Sequence, residues 1–240
     1  NESGKSTLFL MSAELRNNSL INKKVIFGAN AFRRVPIHLG AKIDFLPDGT
    51  LLLTSGDGFD YKEQAQSLNN HFGKIIRLNK DGSVPSDNPF VDIPNALPEI
   101  FSYGHRNMQG LVVMQDGRIF EHEHGPRGGD EFNLIEPGKN YGWPAITYGI
   151  DYSGAVISPF TKMDGMEQPL KYWVPSIAPS DMIYYDGDLY PELTNTFLIT
   201  ALKSRDVKKI KKTNVLFSEE SIFSDLKSRL RSIGISPSGE

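Results

Sequence analysis

Residues 46–57 read LPDGTLLLTSGD. Asp-Gly tolerates the positive φ of a tight hairpin corner, and the apolar run after it has strand character. The pattern returns as MQDGRIFEHEHG at 114–125 and as YYDGDLYPELTNTFLIT at 184–200, and ISPSGE at 235–240 begins a fourth copy. Each copy predicts the corner of a hairpin. Repeats of this size, built from strands and turns, predict propeller blades with insertions. A β-sandwich is the rival, since hairpins occur in both. Helix signals are few, with one short turn expected in SLNNHFGKI at 67–75. The 22 Gly and 15 Pro suit a loop-rich β fold. No low-complexity linker interrupts the chain, so one domain is expected over residues 1–240.

With 39% hydrophobic and 23% charged residues among 240, the chain can bury a core as a soluble domain. The formal net charge of −3 offers no basic field to nucleic acid. The absence of cysteine excludes disulfides, thiolate metal sites and a thiol nucleophile. No apolar run is long enough to span a membrane. No signal peptide is visible, and a chain starting at Asn1 and stopping mid-pattern reads as a fragment. NESGKST at 1–7 ends like a phosphate-binding loop, but the leading glycine and the preceding strand are missing, so it is a decoy.

Four stretches could carry chemistry. FEHEHGPRGGDEFN at 120–133 places two histidines and four acids among glycines. On a strand, His122 and His124 share one face and Glu121 and Glu123 the other. The two histidines lack a clear third ligand for zinc or copper. Gly125 and Pro126 expose carbonyls, and Asp130 and Glu131 offer hard oxygens, which are calcium-type donors; a solvated acidic loop is the plain alternative. In FSYGHRNMQGL at 101–111, Arg106 is a rigid fork for anionic oxygens and Asn107 is both donor and acceptor. His38, in VPIHLGAKIDF, could serve as a base if a substrate proton lies within reach. Lys203, Arg229 and Arg231 would suit a ligand with several carboxylates, or else a solvated surface.

HFGKIIRLNKDGSVPSDNPF (71–90), YGHRNMQGL (103–111), EHGPRGGDEFNLIEPGKNYGWP (123–144) and RLRSIGISPSG (229–239) carry a resemblance. In this order and spacing the chain resembles the glucose/sorbosone dehydrogenase family, soluble sugar dehydrogenases that use pyrroloquinoline quinone (PQQ). The bacterial aldose sugar dehydrogenases are the nearer likeness. The resemblance implies an all-β, six-bladed β-propeller, here an incomplete one of about four to five blades. It implies oxidation of an aldose at C1 to the lactone, an external electron acceptor, Ca²⁺ beside PQQ, and a periplasmic or secreted location. His38 matches the base and Arg106 the cation beside the quinone oxygens. Asn107, His124, Lys203, Arg229 and Arg231 match cofactor contacts. Gly125 and Pro126 match carbonyl ligands of the catalytic calcium, and Glu131, Tyr141 and Asp151 a second, structural calcium site. Two departures stand out: Ile37, not an acid, precedes the base, and Met108 follows Asn107 where proline is usual. A chain this short is expected to bind PQQ weakly. The rival functions are a non-catalytic propeller that binds a ligand or protein, and a metal-dependent lactonase. The lactonase would want an Glu, Asn and Asp trio that does not stand out.

Overall fold

The computed structural model describes residues 4–213 and 217–240. Strands β1 (Phe9–Arg16) and β2 (Ser19–Gly28) form a two-stranded antiparallel sheet. Three four-stranded meanders follow. The first runs β3 (Gly40–Phe45), β4 (Leu51–Ser55), β5 (Lys74–Leu78) and β6 (Ile100–Tyr103). The second runs β7 (Met108–Val113), β8 (Ile119–Glu123), β9 (Asp130–Ile135) and β10 (Lys171–Trp173). The third runs β11 (Pro179–Tyr185), β12 (Thr196–Ala201), β13 (Val207–Lys212) and β14 (Phe217–Ile222). In each, spatial order follows chain order, as in a propeller blade. The all-β propeller expectation holds, with three four-stranded sheets and one two-stranded sheet among the described residues where about four to five blades are expected. No helix among them is long and apolar enough to cross a membrane.

The leading strands β3, β7 and β11 pack on one another, which places them around the common axis. Side chains lock them together. Asp44 Oδ2 on β3 accepts the Val113 N–H of β7 at 2.7 Å, and Lys42 Nζ on β3 reaches Asp181 Oδ1 on β11 at 2.5 Å.

The Asp-Gly corners behave as the sequence predicts. Asp48-Gly49 joins β3 to β4, and Asp116-Gly117 joins β7 to β8. Both glycines have positive φ, 84° and 85°, and both turns close with the same pair of backbone bonds. Ser236–Glu240 repeats that bond pattern, so the fourth copy is a genuine corner. Asp186-Gly187 differs, because it opens the longer connection between β11 and β12. The helical turn expected at 67–75 is absent. The only helical turn nearby is Lys62–Gln66, while Gly73 at φ 62° leads straight into β5. The β-branched pair Ile75–Ile76 is fully buried between blades, and sheet pairing overrides local helical tendency there.

Blades meet face to face, so β8 is buried on both sides. Ile119 joins a cluster with Leu52, Ile75, Met108 and Ile135 on the first-blade side. Phe120 joins Phe132, Phe197 and Ile199 on the third-blade side. Phe132 is fully buried, against the rings of Phe120, Phe197 and Phe217. Phe132→Ala is expected to cost about 3–5 kcal/mol of unfolding free energy, the usual toll of deleting a buried aromatic ring. Urea denaturation at unchanged slope measures it; a loss below about 1 kcal/mol would mean that this inter-blade core repacks freely.

Candidate active site

His38 sits in the loop before β3 with φ of 48°, a left-handed conformation that a non-glycine residue adopts only when its surroundings impose it. Its Nδ1 lies 2.7 Å from Asp57 Oδ1. Asp57, 1% exposed, follows β4 in the GDG turn. Its Oδ1 also accepts the Phe59 N–H at 2.9 Å, and its Oδ2 accepts Trp143 Nε1–H at 2.8 Å. A carboxylate only accepts, so His38 donates from Nδ1 and keeps Nε2 as the free base nitrogen. The acid missing from the sequence beside His38 is thus supplied by Asp57, nineteen positions away. The Phe59 ring meets the imidazole edge-on, with centroids 5.1 Å apart.

Arg106 lies in the β6–β7 connection, 3% exposed. Its carbonyl accepts the Asp57 N–H at 2.7 Å, which ties the two loops at the backbone. Its N–H is held by Glu123 Oε2 at 2.8 Å. Nη1 donates to the carbonyls of His124 and Gly125, both at 2.8 Å, and the guanidinium carbon lies 5.2 Å from the Trp143 ring centre. Nε is buried with no hydrogen-bond partner. The approach is close because Gly56 has no side chain: a Cβ there would stand 2.3 Å from the His38 carbonyl oxygen and 3.2 Å from that of Arg106.

Two cavities adjoin this centre, and His38 itself lines neither. One, of about 240 Å³, is lined by Asp57, Arg106 and Trp143 together with Phe59, Lys62 and Asp151. The other, of about 930 Å³, is lined by His124, Gly125, Pro126, Lys203 and Arg229, with Tyr148 on its wall. Pro126 and Tyr152 line both. Asp130 braces the larger cavity from behind. Its Oδ1 accepts the Gly125 N–H, and its Oδ2 accepts Ser176 Oγ–H and the Ile177 and Ala178 N–H groups. With four donors on it, this carboxylate is a structural hub, not the free hard-oxygen ligand its position in the sequence suggests.

The remaining sequence candidates fall variously. His124 Nε2 contacts the Pro179 carbonyl at 2.6 Å, and burial lowers its pKa. His122 is fully buried, packed where a Gly110 Cβ would collide with it, and burial lowers its pKa to about 3, so it is a neutral packing residue. Asn107 is buried, with Oδ1 accepting from Gln109 Nε2. Arg231 is solvent-exposed and lines neither cavity. Tyr141 stacks on His105, donates its hydroxyl to Leu134 O and accepts the Glu136 N–H. Asp151 faces the smaller cavity and caps Ser153. Glu131 lies beside Glu123 on β9. A calcium site on Glu131, Tyr141 and Asp151 therefore gains no support from their side-chain contacts. Burial raises Glu121 and Glu131 well above the carboxylate range, and Glu123 to about 8.

The residues present fit an anionic cofactor and a hard cation. The larger cavity has room for a tricyclic ring system and carries Lys203 and Arg229 for carboxylates. The His124–Gly125 carbonyls already draw a guanidinium nitrogen, so this loop is shaped to hold positive charge.

The glucose/sorbosone dehydrogenase family model matches residues 1–240. The chain is 38% identical over 226 residues to the aldose sugar dehydrogenase YliI of Escherichia coli, covering 90% of this chain and 60% of that protein. It is 45% identical over 84 residues to quinoprotein glucose dehydrogenase B of Acinetobacter calcoaceticus, covering 35% of this chain and 17% of that one. A solved glucose dehydrogenase superposes with a TM-score of 0.95 at 39% identity, covering all of this chain and 70% of that structure. The chain spans 56% and 60% of the two curated relatives matched over most of its length. The chain belongs to the glucose/sorbosone dehydrogenase family.

Proposed function

We propose that this chain forms part of a PQQ-dependent aldose sugar dehydrogenase that oxidises the sugar at C1 to the lactone. The observation that carries the reading is the His38–Asp57 pair, joined through backbone to a buried Arg106 on the wall of the smaller cavity, next to the larger one that carries Lys203 and Arg229. His38 Nε2 takes the C1 hydroxyl proton, and Asp57 holds the imidazole in the required tautomer and stabilises the imidazolium that forms. As that proton leaves, the C1 hydride departs with its electron pair and the C1–O bond becomes a carbonyl. PQQ, when bound, would supply the two-electron acceptor, with Ca²⁺ polarising it as a Lewis acid. Arg106 would stabilise negative charge on such an acceptor, and Lys203 and Arg229 would hold its carboxylates. Gly125 and Pro126 would offer calcium their carbonyls. His124 lines the larger cavity, while Asn107 and Arg231, which line neither cavity, are assigned to the cofactor on the family resemblance. An external acceptor and a periplasmic or secreted location complete the reading. A non-catalytic propeller would have no use for a half-buried imidazole held by a buried carboxylate.

The test is to reconstitute the natural-length protein with PQQ and Ca²⁺ and follow dye reduction with glucose and other aldoses. Turnover that requires both additions and yields lactone is expected. A protein that binds PQQ tightly but oxidises no aldose would overturn the substrate assignment; one that binds no PQQ would overturn the cofactor assignment.

A further inference from the structure

A second polar centre lies behind Arg106, between the first and second blades. The β8–β9 register pairs Glu121 with Asn133 and Glu123 with Glu131, so these four share one face. His105, from the β6–β7 connection, stands against them with Nδ1 3.7 Å from Glu123 Oε2. One ligand atom from each of His105, Glu121 and Glu123 lies within 4.8 Å of the other two. None of these three is more than 3% exposed, and Asn133 is 1% exposed.

The protein leaves this centre uncompensated. Asn133 Nδ2 donates to Glu121 Oε2 at 3.2 Å, and the Arg106 N–H to Glu123 Oε2. Glu121 Oε1, His105 Nδ1 and Asn133 Oδ1, all buried, have no partner. Lys74, the nearby buried cation, donates to the carbonyls of Gln64, Ala65 and Phe72 instead. Buried polar atoms are almost always satisfied, and three orphans converging beside two carboxylates point to an absent positive partner. His105 Nε2 lies 2.9 Å from Ser102 Oγ, a contact that can hold the proton on Nε2 and turn the Nδ1 lone pair inward, as ligating histidines are oriented.

We propose that His105 Nδ1, Glu121 and Glu123, with Asn133 Oδ1, bind one divalent first-row cation, Zn²⁺ or Mn²⁺. An imidazole nitrogen among carboxylate oxygens suits these ions better than calcium, which prefers an all-oxygen shell. The site is separate from the Gly125 loop and independent of the redox assignment. Its role is a strut. It fixes Glu123, which in turn holds the backbone N–H of Arg106.

The whole chain, stripped with EDTA, would be dialysed against Zn²⁺ or Mn²⁺ alone, and bound metal and melting temperature measured beside Glu121→Gln. Wild type is expected to take up one equivalent more than the variant and to melt several degrees higher with metal. The variant's melting should not respond to metal. Stripped Glu121→Gln is expected to melt no lower than stripped wild type, because it removes a buried carboxylate and keeps the shape. His105→Gln is expected to weaken Zn²⁺ binding at least tenfold, read by competition with a chromophoric chelator. Equal uptake by wild type and Glu121→Gln, binding of Ca²⁺ alone, or Zn²⁺ affinity unchanged by His105→Gln would each overturn the assignment.

Discussion

His38→Ala is expected to lower kcat for aldose oxidation by about 10²–10⁴-fold in the PQQ- and Ca²⁺-loaded protein, with PQQ affinity nearly unchanged. On the proposed function the imidazole removes the proton whose departure allows hydride to leave, and no other free base in the described residues is tied to the site in the same way. Asp57→Asn tests the same pair from the other side. It keeps the shape but removes the negative charge that supports the imidazolium, and either orientation of the amide turns its NH₂ toward a group that donates to the wild-type carboxylate, Nδ1 and the Phe59 N–H on one side or Trp143 Nε1–H on the other. A comparable loss of kcat is expected. Measuring kcat beside PQQ affinity separates this from simple loosening, which would weaken both. If both variants keep full rate, His38 is not the base.

Gly56→Ala should be nearly as damaging, although it touches no substrate. Its Cβ would stand 2.3 Å from the His38 carbonyl oxygen, well inside van der Waals contact, with Arg106 O on the other side at 3.2 Å. The two loops must part, and with them the imidazole and the guanidinium. Misplacing reacting groups by about 1 Å can cost on the order of 10²-fold in rate. A kcat loss of that size is expected, with a smaller change in PQQ affinity, since Lys203, Arg229 and the Gly125 loop stand on other elements. Stopped-flow reduction of bound cofactor reads the rate, and a titration reads the affinity. Activity within twofold of wild type would mean that the loops are not held at this spacing.

The hairpin corners at Asp48 and Asp116 were legible in the sequence because a positive-φ turn demands local chemistry that local residues declare. The pairing of Glu121 with Glu123 on one face was legible too, from alternation alone. What alternation does not show is that β8 is covered on both faces, so that the acids are buried rather than solvated. Asp57 escaped notice for a similar reason. Its partners are residues 38, 106 and 143, brought together only when separate blades close on one axis. The GDG at 56–58, which ends LLLTSGDG, was the available signal, an acid held between glycines at a strand end. Asp130 shows the reverse error: its composition suggested a metal ligand, and its four donors make it a brace.

That brace separates two walls of the larger cavity. Asp130 pins residues 125 and 176–178, the backbone nearest the cationic groups, while Tyr148, Ile150 and Tyr152 hang from the long excursion between β9 and β10. The excursion is tied to the rim by the paired backbone bonds of Arg127 and Ile150 and brings no cationic group to the cavity, so on the proposed function it would act as a mouthpiece that selects among sugars while the anchored rim holds the cofactor.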